Sequence, residues 1–277
     1  MGLDQSAPTP SRAGRNLPAA IGVGVVLGAA IIGSLYWQKW LFIVLVVAVI
    51  LVAVDEMGKA LKVGGASVAE VPMLAGSFAM LVAAYLGGPL ALLTAMGLTV
   101  LATVFWRMPG GAQGFVRDTS ASIFLIGYVP MLAGFAVLLV RPEDGPGRVI
   151  TFFLVVVASD VGGYVAGVLF GKHPMAPTIS PKKSWEGFAG STIGCVLAGT
   201  LSVIFLLDGD WWIGVLIGLI SVGTATLGDL GESMIKRDLG IKDMSNLLPG
   251  HGGIMDRLDS LLATAPFVWL ILHLLVK

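Results

Sequence analysis

The sequence predicts an all-α integral membrane protein: a polytopic helical bundle of about nine transmembrane helices, with the N-terminus inside and the C-terminus outside. Composition is the first reason. Of 277 residues, 56% are hydrophobic and only 12% are charged, against about 25% charged in a soluble domain. Apolar runs of helical length are the second, since roughly 20 such residues cross a hydrocarbon core about 30 Å thick. Charge asymmetry is the third. When the runs are threaded back and forth, thirteen of the seventeen Lys and Arg residues fall on one side and four on the other. The positive-inside rule makes the richer side cytosolic.

Residues 1–16, "MGLDQSAPTPSRAGRN", carry no periodic apolar face and read as a flexible cytosolic tail. The run from Leu17 continues to Tyr36, beyond the length of a signal-peptide core, so it reads as an uncleaved first crossing of 17–36. Eight further runs follow at 38–54, 67–87, 88–106, 119–140, 148–171, 186–207, 211–236 and 259–276. The second and ninth are short, and "GGP" alone parts the third from the fourth, so eight or ten crossings stay open. Residues 17–147 then form a scaffold of about five spans. Residues 148–277 form a catalytic region of about four, with inner polar loops at 171–188 and 233–259.

Zero formal net charge gives no sign of the polyanion-binding surface that nucleic acid needs, and local charge matters more than the total. Cys195 is the single cysteine, which excludes an intrachain disulfide and a thiolate metal cluster. Its setting, "STIGCVLAGT", marks it as a small residue for helix packing.

Polar residues gather in "ESMIKRDLGIKDMSNLLPGHGGIMDRLDSLL", residues 232–262. Asp229, Glu232, Ser233 and Lys236 recur at i, i+3, i+4 and i+7 and share one helix face. A carboxylate at a helix centre in the bilayer costs about 2.5–3.5 kcal/mol on insertion scales unless it is paired. A metal ion or a phosphate-bound lysine would offset that cost, and for Glu232 with Lys236 a plain i,i+4 ion pair accounts for the two equally well. Downstream, Pro249, Gly250, Gly252 and Gly253 around His251 break the helix, and such a turn offers backbone N–H groups to an anion. His251 is also readable as a solvated loop histidine.

A helix restarting near Ile254 puts Asp256, Asp259 and Ser260 on one face, with Arg257 beside them. Asp229 and Asp256 are therefore candidates to meet at the mouth of two adjacent helices and supply oxygen ligands to Mg²⁺. Lys236, Arg237, Lys242 and Arg257 bring four cations to the same short loop. The interleaved acids would weaken a pure orientation signal, and the mixture suits metal-assisted handling of phosphates. Upstream, "SPKKSWEG" (180–187) holds Lys182, Lys183 and Ser184, readable as a juxtamembrane pair beside a belt tryptophan or as phosphate contacts. Asp160, inside the sixth run with Tyr164 one turn on, is a functional acid or a helix–helix hydrogen bond. His273 reads as an interfacial residue.

Ser233, Lys236, Arg237, Lys242, Asp243, Ser245, Leu248, Pro249, His251, Gly252, Gly253, Asp256, Arg257 and Asp259, spread over 27 residues, resemble the full signature of the phosphatidate cytidylyltransferases, or CDP-diacylglycerol synthases. "SPKKSWEG" resembles the family's second block, where threonine is common at the position of Ser184. The likeness is specific over about 160–260 and generic over 1–150. It implies a reaction in which CTP and phosphatidic acid give CDP-diacylglycerol and pyrophosphate. It further implies a homodimeric membrane enzyme that requires Mg²⁺ and holds a paired Mg²⁺ and K⁺ centre with acidic residues.

Carried onto this chain, the resemblance makes Asp229 and Asp256 the metal ligands, although Asp229 lies outside the signature; Glu232 and Asp160 are further candidates. Lys236, Arg237 and Arg257 would hold triphosphate or lipid phosphate, and the His251–Gly253 turn would cradle an oxyanion. Lys182, Lys183 and Ser184 would position a phosphate from the facing segment, with Ser233, Lys242, Asp243 and Asp259 completing the substrate site. CTP comes from water and phosphatidic acid from the inner leaflet, so the expected enzyme is a multi-pass protein of the cell membrane with its active site facing the cytosol. A lipid or ion transporter is the rival of another class, because broken helices and membrane acids also bind transported ions. A CTP-dependent lipid kinase is a closer rival.

Overall fold

The structure, a computed structural model, describes residues 28–29, 31–245, 247 and 252–276. The expected tail at 1–16, most of the first run, and Leu248, Pro249, Gly250 and His251 lie outside the described residues. Among those described, seven helical segments are long and apolar enough to cross a membrane. The all-α membrane class is therefore as expected.

Residues 31–37 are helical and lead into α1, Lys39–Val63. This helix outruns its expected end at 54 because charges stop an apolar run without stopping a backbone. Asp55 and Lys59 pair one turn apart at 2.6 Å, while Glu56 turns inward and is buried. Helix α2, Glu70–Arg107, holds the two runs expected at 67–87 and 88–106. Gly88 separates them with φ 77° and ψ −160°, a conformation that side chains oppose. Pro89 follows without an N–H to give. The chain reverses there, and a Cβ at Gly76 would run into the side chain of Thr99.

A 3₁₀ turn, Met108–Gly110, leads to α3, Phe115–Tyr128, and α4, Pro130–Val140, which share one apolar segment bent at the proline. Then come α5, Gly145–Phe170; the strands β1, Pro174–Ala176, and β2, Ser180–Ser184; and α6, Trp185–Leu207. Helices α7, Trp211–Asp238, and α8, Met255–Leu275, complete the described chain. The polar stretch expected as a loop at 171–188 thus contains an antiparallel hairpin, with Pro174 opposite Ser184 and Ala176 opposite Ser180.

Helices α5 to α8 pack in succession, and α4 joins the two halves by packing on α8. The α5–α6 seam is backbone against backbone. A Cβ at Gly190 would fall 2.5 Å from the carbonyl oxygen of Gly162, the close approach that small residues allow inside membranes. Cys195 lies in this seam, fully buried, and its Sγ donates to the Val155 carbonyl at 3.2 Å. Packing is its role, as expected.

Polar contacts close both ends of the bundle. At one end Lys39 reaches the Pro142 carbonyl, and buried Arg148 donates to the carbonyls of Leu272 and Val276 at 2.9 and 3.1 Å, where α8 runs out of amide partners. His273 stacks on Trp269 near that end. At the other end Asp118, 1% exposed, accepts from Ser67 N–H, Arg107 Nε and Arg117 Nε, each at 2.9 Å.

Candidate active site

Helices α5 to α8 and the hairpin enclose a polar cleft of about 300 Å³, with Gly187, Phe188 and Ser191 of α6 and Met175 of β1 in its wall. Helix α5 contributes Asp160 and Tyr164, β2 contributes Lys182 and Lys183, α7 contributes Thr226 and Asp229, and α8 contributes Ser260. The hairpin is what brings the two lysines over the helices. Lys183 Nζ lies 2.7 Å from Asp229 Oδ2 and 3.4 Å from the Thr226 carbonyl. Asp160 lies within electrostatic range of Asp229, Lys183 and Arg257, and Asp259 within range of Asp229 and Asp160.

The hairpin is tied down at its root and its turn. Glu186 accepts from the N–H groups of Lys172 and His173 at 3.1 and 3.2 Å, and His173 Nδ1 donates to its other oxygen at 2.6 Å. Arg237, at the end of α7, donates to the Ile179 carbonyl at 3.1 Å. Ser184 caps α6, its Oγ accepting from Gly187 N–H at 3.1 Å, which satisfies one of the orphan amides of a helix start. The hydroxyl expected to position phosphate is thus also a helix cap that lines the cleft.

A second cluster sits beside the cleft, between α7 and α8. Lys236 Nζ bridges Glu232 Oε2 at 2.6 Å and Asp256 Oδ1 at 2.8 Å. Asp256 Oδ2 accepts from Met244 N–H at 3.0 Å and Gly253 N–H at 2.7 Å, so both of its oxygens are engaged and it is not among the residues lining the cleft. Gly252 adopts φ 78°, and a Cβ there would approach Asp256 Oδ2 to 3.0 Å, which accounts for glycine at that step of the turn. Glu232 is 1% exposed, and its Oε1 has no hydrogen-bond partner among the described residues.

The remaining expected residues spread around these two clusters. Ser233 Oγ lies 3.5 Å from Asp229 Oδ1. Asp259 accepts from Ser260 N–H at 2.6 Å, and Ser260 Oγ donates to the Ala225 carbonyl at 3.2 Å, holding α8 against α7. Lys242, Asp243 and Arg257 are exposed. The spacing thus brings Asp229 to the cleft with Asp160, and gathers Asp256 with Lys236 and Glu232.

Among residues that the sequence reading passed over, Glu56 of α1 is the most consequential. It accepts from Ser245 Oγ at 2.5 Å and from Met255 N–H at 2.9 Å. The signal was available, because Glu56 is an acid inside an apolar helix, the same signal that singled out Asp160. Tyr128 of α3 was also passed over. Its hydroxyl is buried and within electrostatic range of Asp259, Glu232 and Asp229.

The donor set of the cleft suits a hard cation. Asp160 and Asp229 present carboxylate oxygens to one cavity. No group of three acidic, histidine or cysteine residues able to hold a metal ion occurs among the described residues. Mg²⁺ needs no such group, since it commonly takes one or two carboxylates and completes its shell with water and substrate phosphates.

Residues 18–275 match the family described as the Cytidylyltransferase family. The chain belongs to that family. Among curated relatives, a phosphatidate cytidylyltransferase of Mycobacterium leprae is 44% identical over 289 residues, covering 99% of this chain and 93% of the relative. One of Mycobacterium tuberculosis strain H37Rv is 44% identical over 98% of this chain and 87% of the relative. One of Haemophilus influenzae is 44% identical over a shorter stretch, 46% of each. Membership extends the likeness beyond the signature to nearly the whole chain, including the N-terminal half where the sequence alone looked generic.

Proposed function

We propose that this chain is a phosphatidate cytidylyltransferase, transferring CMP from CTP to phosphatidic acid to give CDP-diacylglycerol and pyrophosphate. The observation that carries the reading is near end-to-end identity of 44% with mycobacterial proteins of that name. The cleft supports it with two lysines set against two carboxylates, at the mouth of apolar helices.

A phosphate oxygen of the lipid forms the new bond to the α-phosphorus of CTP, and the bond from that phosphorus to the β-bridging oxygen breaks. A phosphomonoester is already mostly dianionic at pH 7, so no side chain has to take a proton from the nucleophile. Repulsion between two polyanions is the main barrier, and fixed cations aimed at the phosphates lower it. Lys182, Lys183 and Arg257 are placed for this, with Asp229 holding the Lys183 ammonium. Lys236 and Asp256 fix the segment ending at Gly253, whose N–H is held by Asp256. Mg²⁺ bound by Asp229 and Asp160 would screen the phosphates and draw charge from the α-phosphorus. Asp256, the other expected metal ligand, has both oxygens engaged by Lys236, Met244 N–H and Gly253 N–H beside the cleft, and K⁺ enters only through the family resemblance.

Exposed Tyr164 lines the cleft, and Val161, Val168 and Phe170 beside it are exposed apolar side chains of α5. This supports entry of the lipid headgroup sideways from the membrane. The proposal includes a cytosolic site in the cell membrane, nine N-in/C-out crossings and a homodimer. The count takes the reversal at Gly88 as two crossings and adds the 17–36 run.

The test uses purified protein in detergent with phosphatidic acid, Mg²⁺ and CTP labelled at either phosphate. Label from the α-phosphate should enter lipid while γ-label leaves as pyrophosphate. Transfer of γ-label to lipid would mean a kinase, and transfer of neither would favour a transporter.

A further inference from the structure

Glu56 lies on α1, in the half of the chain from which none of the cleft-lining residues comes. It is 5% exposed, and both of its carboxylate oxygens accept from the segment that carries Gly253 and Asp256. Oε1 takes the Ser245 hydroxyl and Oε2 the Met255 N–H, across 189 and 199 residues of sequence. Ser245 Oγ in turn accepts from Leu247 N–H at 3.1 Å. A Cβ at Gly253 would fall 2.7 Å from Glu56 Oε2. The carboxylate is therefore packed directly against that backbone.

Asp256 makes the complementary pair of contacts, accepting from Met244 N–H and Gly253 N–H. Two carboxylates from two helices thus pinch the two ends of one segment together, Glu56 at Ser245 and Met255, and Asp256 at Met244 and Gly253. An acid within a membrane helix is costly unless charge-assisted hydrogen bonds satisfy it. Here the satisfying groups all belong to the catalytic segment. Helix α1 could have buried an alanine at this position as easily, had packing been the only demand.

We infer that Glu56 is a positioning residue for the cytidylyltransfer reaction: it clamps the base of the 244–255 segment so that Asp256 and Lys236 are held in one geometry. It touches no reacting atom, and its catalytic consequence rests on the function proposed above.

The experiment compares full-length wild type with Glu56→Gln and Ser245→Ala in detergent. Hydrogen exchange without substrate, CMP transfer to phosphatidic acid and the thermal midpoint are read for each. Glu56→Gln keeps the side-chain shape but removes the charge and one acceptor. Exchange in peptides covering 243–258 should quicken about tenfold while peptides in 130–170 stay as in wild type. The kcat/KM for CTP should fall about 100-fold at a nearly unchanged thermal midpoint, the scale expected of small misplacement at a reacting centre. In the double variant the losses should not add.

Exchange that rises evenly along the chain would mean a merely structural acid and would overturn the inference, as would wild-type exchange and kinetics in Glu56→Gln. Should that variant not fold, Ser245→Ala removes the same bond from the other partner, and unaltered exchange at 243–258 would be equally fatal. If wild type transfers no CMP, the functional reading fails while the exchange data still decide the clamp.

Discussion

Lys183 on β2 and Asp229 on α7 face each other at 2.7 Å across the cleft, with side chains 21% and 38% exposed. A pair this open contributes only ~0–1 kcal/mol to stability, so its value lies in what it presents to phosphate. Lys183→Ala should lower kcat/KM for CTP by about 10²–10³-fold, the scale of removing one group that stabilises developing charge, with little change in thermal midpoint. Asp229→Asn should lose as much and should also need more Mg²⁺ for half-maximal rate. The reversed pair, Lys183→Asp with Asp229→Lys, should not recover activity, as it would if the bond were only structural. Steady-state kinetics under Mg²⁺ titration check all three.

Asp256→Asn should abolish most turnover while leaving helix content intact by circular dichroism. The amide group must either meet Lys236 or confront two N–H donors, so at least one of the bonds at 2.8, 3.0 and 2.7 Å is lost whichever way it turns. A rate near that of wild type would remove Asp256 from the machinery.

Ser184 allows its two roles to be separated. Ser184→Thr retains the hydroxyl and should retain both the α6 cap and the activity. Ser184→Ala should cost about 1 kcal/mol through the lost cap, read from thermal unfolding, with any additional loss in KM for CTP measuring phosphate contact.

The α5–α6 seam sets the floor of the cleft. Gly190→Leu should destabilise by about 1–3 kcal/mol or more, because its side chain would enter the Gly162 carbonyl and overpacking pushes helices apart. Gly223 makes a control, since a Cβ there meets nothing within 4 Å. Gly223→Ala should be neutral or stabilise α7 by about 0.5–1 kcal/mol. Detergent-solubilised yield and thermal midpoint distinguish the two.

Hydropathy made the membrane class and the approximate order of helices legible, because a run of 20 apolar residues has few other uses. It misplaced ends wherever a helix carries charge inward. Helix α1 runs on past Asp55, since backbone hydrogen bonding ignores the polarity on which a hydropathy boundary depends; α8 begins at Met255, in line with the restart expected near Ile254, although its apolar run opens only at 259. Helical spacing also grouped Glu232 with Lys236. It missed Glu56, whose partners are 189 and 199 residues away. No local pattern encodes contacts between helices so far apart in sequence. The hairpin was hidden for a different reason: its short strands, rich in Pro, Ser and Lys, owe their pairing to ties from Glu186 and Arg237 outside them.

The Lys236 bridge has a consequence for which substitutions the protein can tolerate. Its ammonium serves Glu232 and Asp256, carboxylates only 1% and 7% exposed, and removing one member of such a network typically costs about 3–5 kcal/mol. In a saturation scan, folded abundance and turnover should therefore fall together at position 236. At Lys182, exposed and bearing on the cleft, they should part, with full abundance and poor turnover. Position 236 is one where selection for a working enzyme and selection for an intact protein act as a single constraint.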